Sequence, residues 1–303
     1  MNCSFYQVDV FTKIPFGGNP LAVVFDSEGL TDQNMQNIAR EMNLSETTFV
    51  LPPGNLPIDF SVRIFTPEKE IPFAGHPTLG TAHILRETGK VLSGDYPIKL
   101  AMKAGVITVA QGKKEDLLFM DQLLPNFEHP LNCAEELGKA LGISTDDINS
   151  TCRPVQIVST GLPVLLVPVT SLKALENISV DTIRLRQFLA TLGTDLLYVF
   201  TSQTFDPNAT IHSRAFAPEL GITEDPATGS AAGAAGAYLT RNKLISEEDC
   251  ANIFIEQGHM IGRPSSLFVC IEQKKEKIKS VRVGGESVTI IKGVISTKLI
   301  IRG

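Results

Sequence analysis

The chain has 303 residues, with 27 Lys+Arg against 33 Asp+Glu for a formal net charge of −6, and it is 43% hydrophobic and 20% charged. That is too apolar for a disordered chain, and the short run Lys274, Lys275, Lys277, Lys279 reads as a solvated hairpin, not a surface for nucleic acid. No apolar run nears the ~20 residues that span a bilayer and Met1 to Phe16 lacks a signal-peptide pattern, so a cytoplasmic protein without a membrane partner is expected.

In chain order, the patterning predicts β-rich segments at about 3–10 and 20–25, then an amphipathic helix at about 31–42 with Thr31 as its N-cap. Strands follow at about 46–51 and 58–66, then a helix of about twelve residues opening at Pro77, where a missing N–H costs nothing. The order then returns: segments at 154–158 and 163–169, a helix at 180–191, strands at 195–201 and 209–217, and a helix opening at Pro226. Pro77 to Glu87 places Leu79, Ala82, Ile84 and Leu85 on more than one face, while Ala227 to Leu239 is almost entirely Ala, Gly, Ser and Thr. Helices without a polar face are buried, so each reads as a central helix wrapped by its own curved sheet. The fold class is therefore α+β, in two similar halves.

The halves also match as sequence. Arg63-Ile64-Phe65-Thr66-Pro67-Glu68 recurs 151 residues later at Arg214, and His76-Pro77-x-x-Gly80-Thr81-Ala82 recurs 149 residues later as Asp225-Pro226-x-x-Gly229-Ser230-Ala231. The same offset of 149 aligns Glu46 with Asp195, Gln7 with Gln156 and Cys3 with Cys152, and a short gap brings Pro20 onto Pro163. Val106 to Val109 resembles Ser287 to Ile290 at an offset of 181, which implies a longer insertion in the second copy. The boundary falls in the polar stretch between Gln122 and Glu135, and the alternating segment Val281 to Ile301 suits pairing with either half. The expected division is 1–122 and 123–284, with 285–303 completing the first half.

Two buried helices with equivalent N-termini present free N–H groups and positive dipole ends, a setting for a carboxylate or a developing enolate. Asp225 fits an ordinary N-cap; His76 does not, and a His at a helix N-terminus is pushed toward the neutral form that suits ligand binding or proton transfer. Ser230 and Thr81 are placed one turn inside their helices, where a hydroxyl bonds its own backbone or a ligand. Glu46 stands at the mouth of a strand, ordinarily a solvated place, yet its repeat position also holds an acid, Asp195, so a general base is a second reading.

Competing chemistries are weaker. Gly75 to Thr81 has phosphate-loop glycine spacing without its Lys, and Gly229-Ser-Ala-Ala-Gly233 is not GxGxxG. His76 and His83 lie seven apart without HExxH, which disfavours zinc and leaves His83 as a packed core residue. The five cysteines, an odd number without metal spacing, read as reduced and mostly buried thiols. Cys3 and Cys152 at matched positions raise a two-thiol racemase, although buried small hydrophobes are the simpler reading.

The assembled segments resemble the PhzF-like family, isomerases of the phenazine-biosynthesis type related in fold to diaminopimelate epimerase. They are Gly18-Asn19-Pro20, Asn43-Leu44-Ser45-Glu46, Arg63 to Pro67, Phe73 to Ala82, Glu224 to Ala231, and Gln257-Gly258 through Gly262-Arg263-Pro264-Ser265, leaving about 110–155 without a distinctive match. The resemblance implies pseudo-twofold related halves with an active-site cleft between them, a homodimer, and no cofactor or metal. It implies catalytic roles for Glu46, with His76 and Asp225, and substrate contacts from Gly75, Gly229 and Ser230. The expected function is cofactor-independent isomerisation of a small carboxylate with Glu46 as general base and acid. A metabolite-binding or interaction protein without turnover, and a two-thiol racemase or epimerase on Cys3 and Cys152, are the alternatives.

Overall fold

The computed structural model describes residues 2–91, 96–112 and 116–296. Two units form, Met1–Met120 with Gly284–Gly303, and Asp121–Val283. Among the described residues no helix is long and apolar enough to cross a membrane. The part of the expected last strand beyond Ser296 lies outside the described residues.

The first unit begins with β1 (Asn2–Val10) paired antiparallel to β2 (Asn19–Val24). Helix α1 (Asp32–Met42) then crosses to β3 (Glu46–Leu51), which lies parallel to β2. Its ends follow from local chemistry: Thr31 accepts the Asn34 N–H while Asn34 reaches back to the Thr31 backbone, and Asn43 closes the helix in the left-handed region. Strand β4 (Phe60–Phe65) pairs antiparallel with β3 and with the short β5 (Glu70–Ile71), and α2 (Gly75–Glu87) follows. Strands β6 (Ile98–Met102), β7 (Gly105–Gln111) and β8 (Leu118–Gln122) complete the run, with β6 parallel to β4.

Helix α2 is buried over ten of its thirteen residues, because small side chains let the strands close on it. A Cβ at position 80 would stand 2.6 Å from Leu21 Cδ2 and 2.8 Å from Val10 Cγ2, so only glycine admits β1 and β2 this closely. Thr81, placed by sequence as a residue that bonds backbone or ligand, instead meets the Thr48 hydroxyl at 3.0 Å and ties the helix to β3.

The second unit repeats this order. After β9 (Asn126–Phe127), α3 (Ala134–Leu141) and α4 (Asp146–Asn149), β10 (Gln156–Ser159) pairs antiparallel with β11 (Pro163–Pro168). Helices α5 (Leu172–Glu176) and α6 (Thr182–Leu192) cross to β12 (Leu197–Thr201), parallel to β11, and β13 (Ile211–Ala217) pairs with β12 and with β14 (Ile222–Asp225). The buried α7 (Gly229–Arg241) leads to β15 (Ile253–Gln257), parallel to β13, then β16 (Ser265–Lys274) and β17 (Lys277–Gly285). Lys275 and Glu276, both at positive φ, form the turn between the last two. β18 (Ser287–Ser296) belongs to the first unit and pairs there antiparallel with β1, as β9 does with β10 in the second. The counterpart of β7 is thus β16, and the sequence match of β7 to Ser287–Ile290 is not a structural repeat.

Cross-strand register corrects the alignment of the halves further. Phe49 lies opposite Arg63 and Val199 opposite Arg214, so Glu46 corresponds to Leu196, not to Asp195. The first strand agrees: Gln7 faces Ala22 and Ile157 faces Leu165, which pairs Cys3 with Arg153 and not with Cys152. A one-residue slip exchanges the faces of a strand, so these shifts decide which side chains are equivalent.

Candidate active site

The two central helices start in the same way. Arg63 grips Glu70 through Nε and Nη2 at 2.8 and 2.9 Å, and Arg214 grips Glu224 through the same nitrogens at 3.0 and 2.7 Å. Five residues beyond each glutamate the helix opens on a glycine, Gly75 and Gly229. The openings expected at Pro77 and Pro226 are therefore corrected: Pro77 lies in the first turn of α2, and α7 starts three residues after Pro226. By this spacing His76 corresponds to Ser230, and Asp225 corresponds to Ile71, consistent with Ile64 facing Ile71 and Ala215 facing Asp225. The sequence pairing of His76 with Asp225 fails because the connection from Arg214 on β13 to Glu224 on β14 is three residues longer than that from Arg63 to Glu70, which raises the offset between the halves from 151 to 154 before the helices begin.

In the first unit, Glu46 opens β3 and His76 is the second residue of α2. Their side chains are 12% and 7% exposed, and His76 Nε2 stands 3.3 Å from Glu46 Oε2. Burial pushes the His76 imidazole down to about 3, so it is neutral at pH 7. The sequence placed both residues as candidates without showing that they touch. Ser45 donates to Asn19 at 3.3 Å, which links the start of β3 to the start of β2. The N-cap of α2 is Ala74, whose methyl side chain makes no cap hydrogen bond, and the Gly75 and His76 N–H groups lie at this helix start.

In the second unit, Asp225 is the buried last residue of β14 and not the cap of α7. It accepts the Thr228 hydroxyl at 2.5 Å. Thr228 is the N-cap by backbone position, and its side chain makes no cap hydrogen bond to α7. Ser230 lies in the first turn, half-buried, not one turn inside as expected. Gln122 donates to the Gly229 carbonyl at 3.0 Å and accepts from Thr160 at 2.6 Å, which anchors this end of the helix. Sequence reasoning gave no role to Thr228 or Gln257; the side chain of Gln257 bonds both Asp225 O and Thr228, and only its place in the Gln257-Gly258 segment marked it.

The thiol reading loses its geometry. Cys3 is fully buried in an apolar cluster with Phe49 and Phe65, and burial raises its thiol. Cys152 is exposed, contrary to its reading as a buried small hydrophobe, while Cys3, Cys133 and Cys250 are buried. His83 is half-buried on α2, with Nε2 3.3 Å from Glu87 Oε2, and is not a core residue as expected. Among the described residues no group of three or more His, Cys, Asp or Glu is arranged to hold a metal.

This architecture, a sheet around a buried helix in each half, is the diaminopimelate epimerase-like fold. A hydroxyproline epimerase from Agrobacterium vitis matches it at TM-score 0.65 and 11% identity over 98% of this chain and 93% of that one, a likeness of fold alone. A Bacillus anthracis phenazine biosynthesis protein of the PhzF family matches at TM-score 0.89 and 28% identity, over 98% and 99% of the two chains. The trans-2,3-dihydro-3-hydroxyanthranilate isomerase of Pseudomonas fluorescens is 37% identical over 95% of this chain and 97% of its own. Residues 8–293 match the family described as phenazine biosynthesis-like protein, PhzC-PhzF, and the chain belongs to that family. Its enzyme class is isomerase.

Proposed function

We propose that the chain catalyses a cofactor-independent isomerisation of a small ring carboxylate by moving a proton from one carbon to another, with Glu46 as the base that takes the proton and the acid that returns it. The observation that carries this reading is the Glu46–His76 pair, a shielded carboxylate beside an imidazole that burial holds neutral. A neutral imidazole hydrogen-bonds the substrate or relays a proton without cancelling the carboxylate as a counter-ion. The amides at Gly75 and Gly229 bind anionic oxygens that gain charge as the proton leaves. Asp225 and Ser230 contact polar substituents of the substrate.

The test uses trans-2,3-dihydro-3-hydroxyanthranilate, named by the Pseudomonas fluorescens relative, in D2O. The wild-type chain should isomerise it with deuterium entering at carbon, and Glu46→Gln should lower turnover by about 10²–10⁴-fold with the fold retained, the range a positioned acid–base group supplies. Full turnover by Glu46→Gln removes the assignment. Tight binding of the probe without turnover or exchange makes the chain a binding protein.

A further inference from the structure

We infer that Gln257, acting through Thr228, is a positioning residue that sets the orientation of the Asp225 carboxylate; the inference rests on the reading of Asp225 as a substrate-contacting group. Gln257 is the last residue of β15 and is fully buried. Its Oε1 accepts the Thr228 N–H at 3.2 Å, and its Nε2 donates to Asp225 O at 2.7 Å and to Thr228 Oγ1 at 3.0 Å. The reverse amide orientation would set an acceptor against the Asp225 carbonyl and a donor against the Thr228 N–H, so the network admits one arrangement. A hydroxyl has a single proton. Because the amide nitrogen only donates, the Thr228 oxygen accepts there and its proton goes to Asp225 Oδ2, at 2.5 Å. That oxygen is thereby held as an acceptor in one rotamer.

The support behind Gln257 is rigid. The preceding Glu256 accepts the backbone N–H groups of Phe205 and Asp206 at 2.9 and 2.7 Å and the His212 ring N–H at 2.9 Å, while its own carbonyl accepts the Ser213 hydroxyl. Gly258 follows at φ +80, and a Cβ there would stand 2.6 Å from the Pro226 carbonyl, so the turn that carries Asp225 packs directly on this backbone.

The first half shows that the fold does not require this network. Ser61 faces Ala101 and His212 faces Glu256, so with Arg63 matched to Arg214 the counterpart of Gln257 is Met102. The counterpart of Thr228 is Ala74, the N-cap of α2, and the counterpart of Asp225 is Ile71. Ile71, Ala74 and Met102 build an equivalent helix start from three apolar-type residues. Thr228 and Gln257 accompany Asp225, whereas apolar Ala74 and Met102 stand beside its counterpart Ile71, which assigns the two polar residues to the placement of Asp225 and not to the helix.

The test imports the first half's residues as Gln257→Met and Thr228→Ala, with Thr228→Ser as the conservative rescue. Circular dichroism and thermal unfolding establish that the variants fold. On trans-2,3-dihydro-3-hydroxyanthranilate, Gln257→Met and Thr228→Ala should each lower kcat by about 10- to 100-fold, the scale of a displacement of about 1 Å in a reacting group. Thr228→Ser should stay within about threefold, and the double variant should be no worse than the poorer single, because one chain of bonds is being cut. Independently of turnover, the Asp225 side-chain carboxyl carbon resonance should move in Gln257→Met and the Thr228 amide should exchange faster. Wild-type kcat in Thr228→Ala, additive losses in the double variant, or an unmoved Asp225 resonance overturns the inference. If the wild-type chain turns over nothing, the proposed reaction fails and the resonance and exchange data alone decide the clamp.

Discussion

Glu224→Ala should cost the second half far more stability than Glu70→Ala costs the first, although the two glutamates make the same fork. In the second half the fork is closed off: the Arg214 and Glu224 side chains are 9% and 8% exposed, and Arg214 Nη1 also donates to the carbonyls of Leu175 and Ile178 at 2.9 and 3.1 Å. Removing the carboxylate strands a guanidinium that water reaches poorly, a loss of about 3–5 kcal/mol. In the first half Arg63 and Glu70 are 27% and 23% exposed, and Arg63 keeps the exposed Asp32 as a second partner at 2.7 Å, so the loss should be about 1 kcal/mol. Two units need not unfold together, so the measurement is hydrogen exchange under native conditions, read separately for β4 and β13, with urea unfolding alongside. A gap of about 2 kcal/mol or more is a ~30-fold difference in local opening. Replacing both partners by Arg214→Met with Glu224→Leu should recover much of the loss, because the uncompensated charge is gone. Equal losses in the two halves, or a loss below about 1 kcal/mol for Glu224→Ala, would refute the burial argument.

The buried, neutral His76 predicts a pH dependence of stability. Its folded pKa of about 3 lies below the unfolded value near 6.5, so the unfolded chain binds a proton that the folded chain excludes between those limits. Stability should therefore fall as pH drops from about 6.5 toward 3, by up to ~1.4 kcal/mol per pH unit from this group, and the slope should shrink in His76→Asn. A His76 imidazole that titrates near 6.5 by NMR would count against the assignment. Iodoacetamide should label the exposed Cys152 ahead of the buried Cys3 in the native protein, without loss of activity; inactivation that tracks labelling would revive the two-thiol mechanism.

Local chemistry was enough to place several elements from the sequence. Thr31 as N-cap starts α1, and the mostly small composition of Ala227 to Leu239 marks α7 as buried before any neighbour is known. The duplication was equally legible, since Arg63 and Arg214 begin matched blocks. Glu46 and His76 stood out singly, one beside a strand and the other as an unsuitable cap.

What the sequence alone could not set was the register between the copies. Small loop differences change few residue types yet shift which positions face each other, so Asp195 and Cys152 looked equivalent to Glu46 and Cys3 until the strand pairing made Leu196 and Arg153 the true counterparts. The contact between Glu46 and His76 joins positions thirty residues apart, and Gln257 reaches Asp225 across thirty-two. Side-chain type and helical period are local and survive in a linear reading; hydrogen-bond partners this far apart are chosen only when strands pair, because a one-residue slip exchanges the exposed Asp195 for the buried Leu196.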